Sequence, residues 1–188
     1  LLQNMNYEVH VACNFKEGST CSNERIIKLK NKLDEWKIRH YQVDFSRDIT
    51  KVSKNFQSYN QVVKIITDTN YELVHCHSPI GGLITRLACR GIRKRGTKIL
   101  YTAHGFHFYK GAPLKNWIIY YPIEKFCSCF TDTLITINHE DYELAKRKMK
   151  AKQIEYVPGV GIDVDKFENI VIDKAAKRKA LGIPEKCF

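Results

Sequence analysis

The sequence has no long hydrophobic run. Its longest unbroken apolar stretch is a few residues, against the roughly 20 that a membrane-spanning helix needs, so no bilayer crossing is expected. The opening Leu1, Leu2, Gln3, Asn4, Met5 and Asn6 lack the charged start, apolar middle and small-residue cleavage site of a secretory signal, and export is not indicated. Internal repeats, low-complexity tracts and Gly/Ser-rich linkers are also missing, which argues against repeat arrays and long flexible tethers.

Metal-binding cysteine pairs are lacking too. Cys127 and Cys129 lie too close together for a Cys-x-x-Cys arm, and no second arm follows at ligand spacing, so no structural zinc is expected. The cysteine count is odd, 7, and Cys13, Cys76 and Cys89 sit inside apolar stretches, where a thiol behaves as a small buried hydrophobe. This usage reads as a reducing, cytosolic setting.

What is present is enough for one well-buried domain: 188 residues, 44% of them hydrophobic, within the usual single-domain range. The net charge of +11 gathers at Arg90, Arg93, Lys94, Arg95 and Lys98, and again at Lys146, Arg147, Lys148, Lys150 and Lys152. Nucleic acid or anionic lipid would satisfy such clusters, but so would solvent around a helix face; charge alone does not choose.

Short β-rich runs alternate with helical periods. Glu8 to Ala12, His40 to Phe45, Leu73 to His77, Lys98 to Ala103, Thr133 to Ile137 and Ile154 to Val157 read as strands. Ile26, Leu29, Leu33 and Trp36 recur at helical spacing, as do Phe56, Tyr59, Val63 and Ile66, and both sets read as core-facing stripes. Leu83, Leu87 and Ala88 continue to Gly91, a helix-ending residue, and Asn138 with Glu140 and Asp141 reads as a capped helix start. The alternation implies an α/β fold, a doubly wound, mostly parallel sheet that binds ligands beyond the carboxyl ends of its strands. Leu1 and Leu2 read as the tail of a helix already under way, and Asp173 to Leu181 as a helix leading to Gly182, Pro184 and an abrupt Cys187-Phe188. A boundary is placed after Val157.

Three strand-end segments break local rules, as functional sites do. In His75-Cys76-His77-Ser78-Pro79-Ile80-Gly81-Gly82, His75 and His77 share a side of the strand, and the glycines open a helix whose bare amides suit an anion or sugar hydroxyls. The glycines equally suit a tight turn and close packing, and their spacing is not that of a P-loop or dinucleotide motif. His75 reads as a satisfied core residue. The stretch Tyr101 to Gly111 ends a strand in His104-Gly105 and runs through Phe106, His107, Phe108, Tyr109 and Lys110; flat rings and polar tips are what a carbohydrate pocket needs. His104 could be a base, a hydrogen-bond donor or a positioning group. No carboxylate or thiolate at recognisable spacing turns His75, His77, His104 and His107 into a metal site. In Glu155 to Asp163, a short strand enters Pro158-Gly159-Val160-Gly161-Ile162-Asp163, a sharp turn that is a hinge or an ordinary loop.

Taken in order, these segments resemble the amino-terminal domain of family-four glycosyltransferases, in the branch of capsular and exopolysaccharide synthesis. The resemblance is carried by Tyr7 to Ala12, Arg47 and Asn55 in the following loop, Val74 to Gly82, Tyr101 to Pro113, Tyr121 to Lys125, Ile135 to Asn138 with Glu140, Asp141 and Tyr142, and Val157 to Phe167. Many relatives have Asn-Gly where this chain has Pro158-Gly159.

The resemblance implies a two-domain enzyme with its active site between Rossmann-like halves, of which residues 1–157 are the acceptor half. On that likeness a first strand precedes Leu1, residues 158–188 form a hinge and linker helix, and a donor half follows Phe188, so the chain alone is expected to be inactive. The implied reaction is transfer of a hexosyl unit, with retention, from a nucleoside-diphosphate sugar to a lipid-linked saccharide, without a cofactor or metal. His104 takes the catalytic position. Arg47, His77, Ser78, Gly81, Gly82, Gly105, His107, Tyr109, Lys110, Asn138 and Glu140 form the substrate-binding set, Arg47 and the glycine turn suiting an acceptor diphosphate. Pro158, Gly159 and Gly161 form the hinge. Its partners are then the nucleotide-sugar donor, the lipid-linked acceptor and the anionic inner face of the membrane, with no nucleic acid. A nucleotide-sugar 2-epimerase or a non-catalytic sugar-binding module shares the architecture and is the alternative.

Overall fold

Each of the six predicted strands forms, within two or three residues of its expected limits: β1 His10–Cys13, β2 Arg39–Gln42, β3 Leu73–His77, β4 Lys98–Ala103, β5 Thr133–Thr136 and β6 Gln153–Tyr156. They are seen in a computed structural model that describes residues 2–16, 21–159, 161, 164–168 and 172–184. Leu1, Val160, Ile162, Asp163, Cys187 and Phe188, which entered the sequence reading, lie outside the described residues. The helices are α1 Asn23–Glu35, α2 Val52–Asp68, α3 Pro79–Arg93, α4 Leu114–Ser128, α5 His139–Lys148, α6 Asp165–Glu168 and α7 Lys174–Ala180, with a 3₁₀ turn at Gln3–Met5.

All strand pairs are parallel. β1 pairs with β2, and a second sheet of 4 strands runs in the order β3-β4-β5-β6. Parallel strands need helical crossovers; these are α1 in the first sheet and α3 to α5 in the second, while α2 links one sheet to the other. The chain divides into compact units Leu1–Val157 and Pro158–Phe188. Within the larger unit, one hydrophobic cluster joins Val43 to Val62 and Ile66 of α2, Ile84, Ala88, Cys89 and Ile92 of α3, and Ile99 of β4. Another joins Cys76, Tyr101, Ala103 and Leu134 to Phe106, Phe108 and to Ala145 and Met149 at the end of α5. In the smaller unit Asp173 Oδ1 accepts the amides of Ala175 and Ala176 at 3.0 and 3.1 Å and so starts α7.

The helical stripes are corrected. In α1 only Leu33 is buried, while Leu29 is 45% and Trp36 49% exposed. That helix covers a pair of strands, too narrow a sheet to bury a broad face, and Trp36 stands beyond the last turn under Lys32 Nζ at 5.2 Å. In α2 the buried line is Ser58, Val62 and Ile66, and Phe56 is 64% exposed. Packing against α3 buries this i, i+4 row; of the expected stripe, Ile66 belongs to it and Tyr59 and Val63 pack partly buried against the same core, so Phe56 is the member that faces out. Gly91 does not end α3, which continues to Arg93 because Ile92 still belongs to the core; the chain turns at Gly96, φ +115°. Asn55 sits inside α2 and donates from Nδ2 to the carbonyls of Asp48 and Ile49, tying down the Arg47 loop from outside it.

Candidate active site

Register brings the functional segments together. His77 is opposite Thr102 and Ala103 opposite Thr136, so the turns after β3, β4 and β5 open side by side at the carboxyl edge of the sheet. His75 and His77 point to one side of β3, with ring centroids 4.3 Å apart. His75 Nε2 lies 2.8 Å from Thr102 Oγ1, and His77 Nδ1 lies 3.2 Å from His104 Nε2. A row of imidazoles therefore runs along this edge, ending at His104. Burial pushes His75 and His77 below the ordinary histidine range, and the neighbouring imidazoles push the same way, His77 and His104 on His75 and His104 on His77. The His77–His104 contact needs one ring nitrogen to donate and the other to accept, and the tautomer sets which ring does which.

Ser78 follows with φ 64° and ψ 153°, a region used almost only by glycine and costing about 1–3 kcal/mol. It is the cap of α3, with Pro79 in the first turn. A Cβ on Gly81 would meet Ser78 Oγ at 2.8 Å, and one on Gly82 would meet the Tyr101 ring at 2.4 Å. Close packing thus explains Gly82, whose amide already donates to the Ser78 carbonyl at 2.8 Å. An anion-binding role for this turn falls to the amides of Ile80 and Gly81, which helix geometry leaves without helical acceptors.

Gly105, φ +143°, turns the chain out of β4 through backbone angles that side chains disfavour. The following residues alternate inward and outward. Phe106 and Phe108 stack at 4.8 Å and are buried, whereas His107, Tyr109 and Lys110 are exposed. The expectation of a ring-lined sugar platform is corrected accordingly: its phenylalanines are core, because burial of their apolar area is the larger gain. His107 packs on Tyr120 at 4.6 Å. Ile49, from the loop carrying Arg47, lines a crevice with Ile80, Phe106 and His107, which brings that exposed loop to the same edge.

The Gly105–Gly111 loop is clamped from two helices. Asp141, 3% exposed, accepts the Phe106 amide at 2.9 Å and Asn138 Nδ2 at 2.8 Å through Oδ2. Its own amide donates to Asn138 Oδ1 at 2.8 Å. Glu140 Oε1 accepts the Lys110 amide at 2.8 Å, and from α4 Asn116 Nδ2 and Trp117 Nε1 donate to the carbonyls of His107 and Tyr109 at 2.9 and 3.3 Å. Asn138 and Glu140, read as substrate-binding, are thus engaged in holding the loop and the α5 cap. Asp141 enters the sequence reading as part of a capped helix start and of the family likeness, not as a loop clamp; the Asn-x-x-Asp spacing, which resembles a capping box, signals only that it faces back over its own amino terminus. Pro158, Gly159 and Gly161 belong to the smaller unit, where Gly159 and Gly161 both have φ +69°. Among the described residues no group of three or more His, Cys, Asp or Glu is placed to hold a metal ion.

Residues 1–138 match the family model described as glycosyl transferase 4-like. The chain belongs to that family. The matched range contains β1 to β5 and the whole imidazole row, and it stops at Asn138. Among relatives, a Bacillus subtilis protein carrying the name glycosyltransferase EpsD is 40% identical over 189 residues, covering 98% of this chain and 45% of its own length. The Escherichia coli UDP-Gal:α-D-GlcNAc-diphosphoundecaprenol α-1,3-galactosyltransferase is 26% identical, across 100% of this chain and 46% of its own. A 41.2 kDa protein of a Klebsiella pneumoniae cps region is 27% identical over 54% of this chain and 29% of its own. The chain thus spans less than half the length of these relatives. Among the described residues no helix is long and apolar enough to cross a membrane.

Proposed function

We propose that these residues are the acceptor-side half of a retaining hexosyltransferase that uses a nucleoside-diphosphate sugar and extends a lipid-linked saccharide during capsular or exopolysaccharide synthesis. The observation that carries the reading is His104, held at the carboxyl end of β4 by His77 at 3.2 Å and followed by the clamped Gly105–Gly111 loop. The E. coli relative's named acceptor, a GlcNAc-diphosphoundecaprenol, supplies the chemical class: a diphosphate for Arg47 and the Ile80–Gly81 amides, and a sugar for His104, His107, Tyr109 and Lys110. In the transfer the acceptor oxygen bonds to the anomeric carbon, the bond from that carbon to the donor diphosphate breaks, and the hydroxyl proton leaves with the diphosphate. His104 orients the reacting sugar and donates or accepts a hydrogen bond as charge develops. No resident metal takes part in this scheme.

The test uses the full-length protein, a labelled nucleotide sugar and a polyprenyl-diphosphate-linked acceptor. His104→Ala lowers kcat by about 10²–10⁴-fold with little change in thermal midpoint. Undiminished transfer by that variant removes the catalytic assignment. Interconversion of free nucleotide sugars without acceptor would instead identify an epimerase.

A further inference from the structure

Helix α4 exposes apolar side chains that no other described residue covers. Trp117, Tyr120, Tyr121 and Cys127 face the clusters beneath it, whereas Leu114 is 74%, Ile118 66%, Ile119 47% and Phe126 56% exposed. Leu114, Ile118 and Phe126 lie on one i, i+4 row, with Pro122 between them. The helix's carboxylate, Glu124, is buried against Arg86, so the outer face presents no negative charge. At its start are the exposed Lys110 and Lys115 beside Tyr109. At its end Cys129 and Phe130 share a groove with Arg90, Gly91, Arg93 and Lys94, of which Arg90 and Lys94 are exposed. An apolar stripe is therefore framed by cations at both ends.

We propose that this face of α4, with the Arg90–Lys94 groove, docks the protein on an anionic bilayer surface. The inference deepens the reading above and rests on its lipid-linked acceptor. Exposed contiguous apolar surface marks an interaction site. The centres of protein–protein interfaces are depleted in lysine, whereas interfacial helices set aliphatic and aromatic residues beside lysine and arginine that reach the headgroups. The net charge of +11 on these 188 residues favours such a surface. The other basic cluster differs: Lys146, Arg147 and Lys148 fill the last turn of α5, where cations complement the helix dipole, and Met149 beside them is buried. The clamped loop is bonded to α4 through Asn116 and Trp117, so docking through α4 sets the candidate acceptor site next to the lipid.

Vesicle co-sedimentation of the full-length protein tests this, with neutral phosphatidylcholine vesicles and vesicles containing a third of anionic phosphatidylglycerol. Wild type partitions onto the anionic vesicles. Leu114→Glu/Ile118→Glu reduces that partition by about tenfold or more, and Phe126→Glu reduces it in the same direction. Lys146→Gln/Lys148→Gln, which lowers the net charge by the same amount, reduces it less than about twofold if α5 lies away from the lipid. Equal losses in the two double variants, equal binding to neutral vesicles, or a dimer that the Leu114/Ile118 variant dissociates would each overturn the proposal. Transfer to a short-chain, water-soluble acceptor is measured alongside and stays at the wild-type rate in the α4 variants. Vesicle binding by a protein that transfers nothing would leave the docking face standing and remove the proposed reaction instead.

Discussion

In the proposed reaction His104 must be held in one orientation, and its Nε2 lies 3.2 Å from His77, whose ring is tilted against that of His75 with centroids 4.3 Å apart. The lowered proton affinity of His75 and His77 links this row to stability. Unfolded histidines titrate near 6.5; below that pH the unfolded chain takes up protons that the folded row resists, so stability falls as pH drops from about 7 toward the folded values. The urea midpoint should decline between pH 7.5 and 5.5, and His75→Gln/His77→Gln should flatten the decline; parallel slopes would refute the linkage. Asp132 acts in a separate window. Burial raises its carboxyl's proton affinity, but Arg93, the Ile99 amide and Lys152 outweigh that and hold it at about 2, so its contribution is lost only below about pH 4. At this scale His104, His107, Tyr109 and Lys110 were legible because a strand ending in His-Gly is a local pattern. The role of Asp141 was not, since its partner Phe106 lies 35 positions away.

Between elements, the site depends on how α3 and α4 meet. Arg86 is fully buried, donates to Glu124 Oε1 at 2.5 Å and Oε2 at 3.0 Å and to the Gly82 carbonyl at 3.0 Å, and lies 3.9 Å over the Tyr101 ring. Glu124 keeps its guanidinium protonated despite burial. Arg86→Met leaves that carboxylate without its cation and should cost about 3–5 kcal/mol, while Arg86→Met with Glu124→Leu should recover most of the loss. Denaturant titration of both variants checks this; a double variant as unstable as the single would refute the pairing argument. Periodicity found the helices and put Leu33 and Ile66 inside, but Leu29, Trp36 and Phe56 face outward because neighbouring elements choose the buried row. Gly91 misled for a similar reason: the core contact of Ile92 carries α3 beyond it.

For the whole molecule, the charge of +11 has two opposed consequences. Self-repulsion lowers stability, so the thermal midpoint should rise as sodium chloride is raised from about 20 to 200 mM, a range in which the Debye length shrinks from about 20 Å to below 10 Å. Attachment to anionic vesicles should weaken over the same range, and a midpoint that falls would show that specific ion pairs outweigh the net charge. The alternation of strands and helices, and with it a parallel α/β fold whose ligand edge is its carboxyl edge, was legible from the residues alone, because those patterns depend on neighbours within one element. The segments carrying the family likeness were legible for the same reason. Folding alone sets which rings are core and which face outward, that Asn138, Glu140 and Asp141 hold the loop, that His77 reaches His104, and that α4 presents an apolar face framed by cations. Each of these depends on residues brought together across the sheet and helices, and no local pattern encodes such contacts.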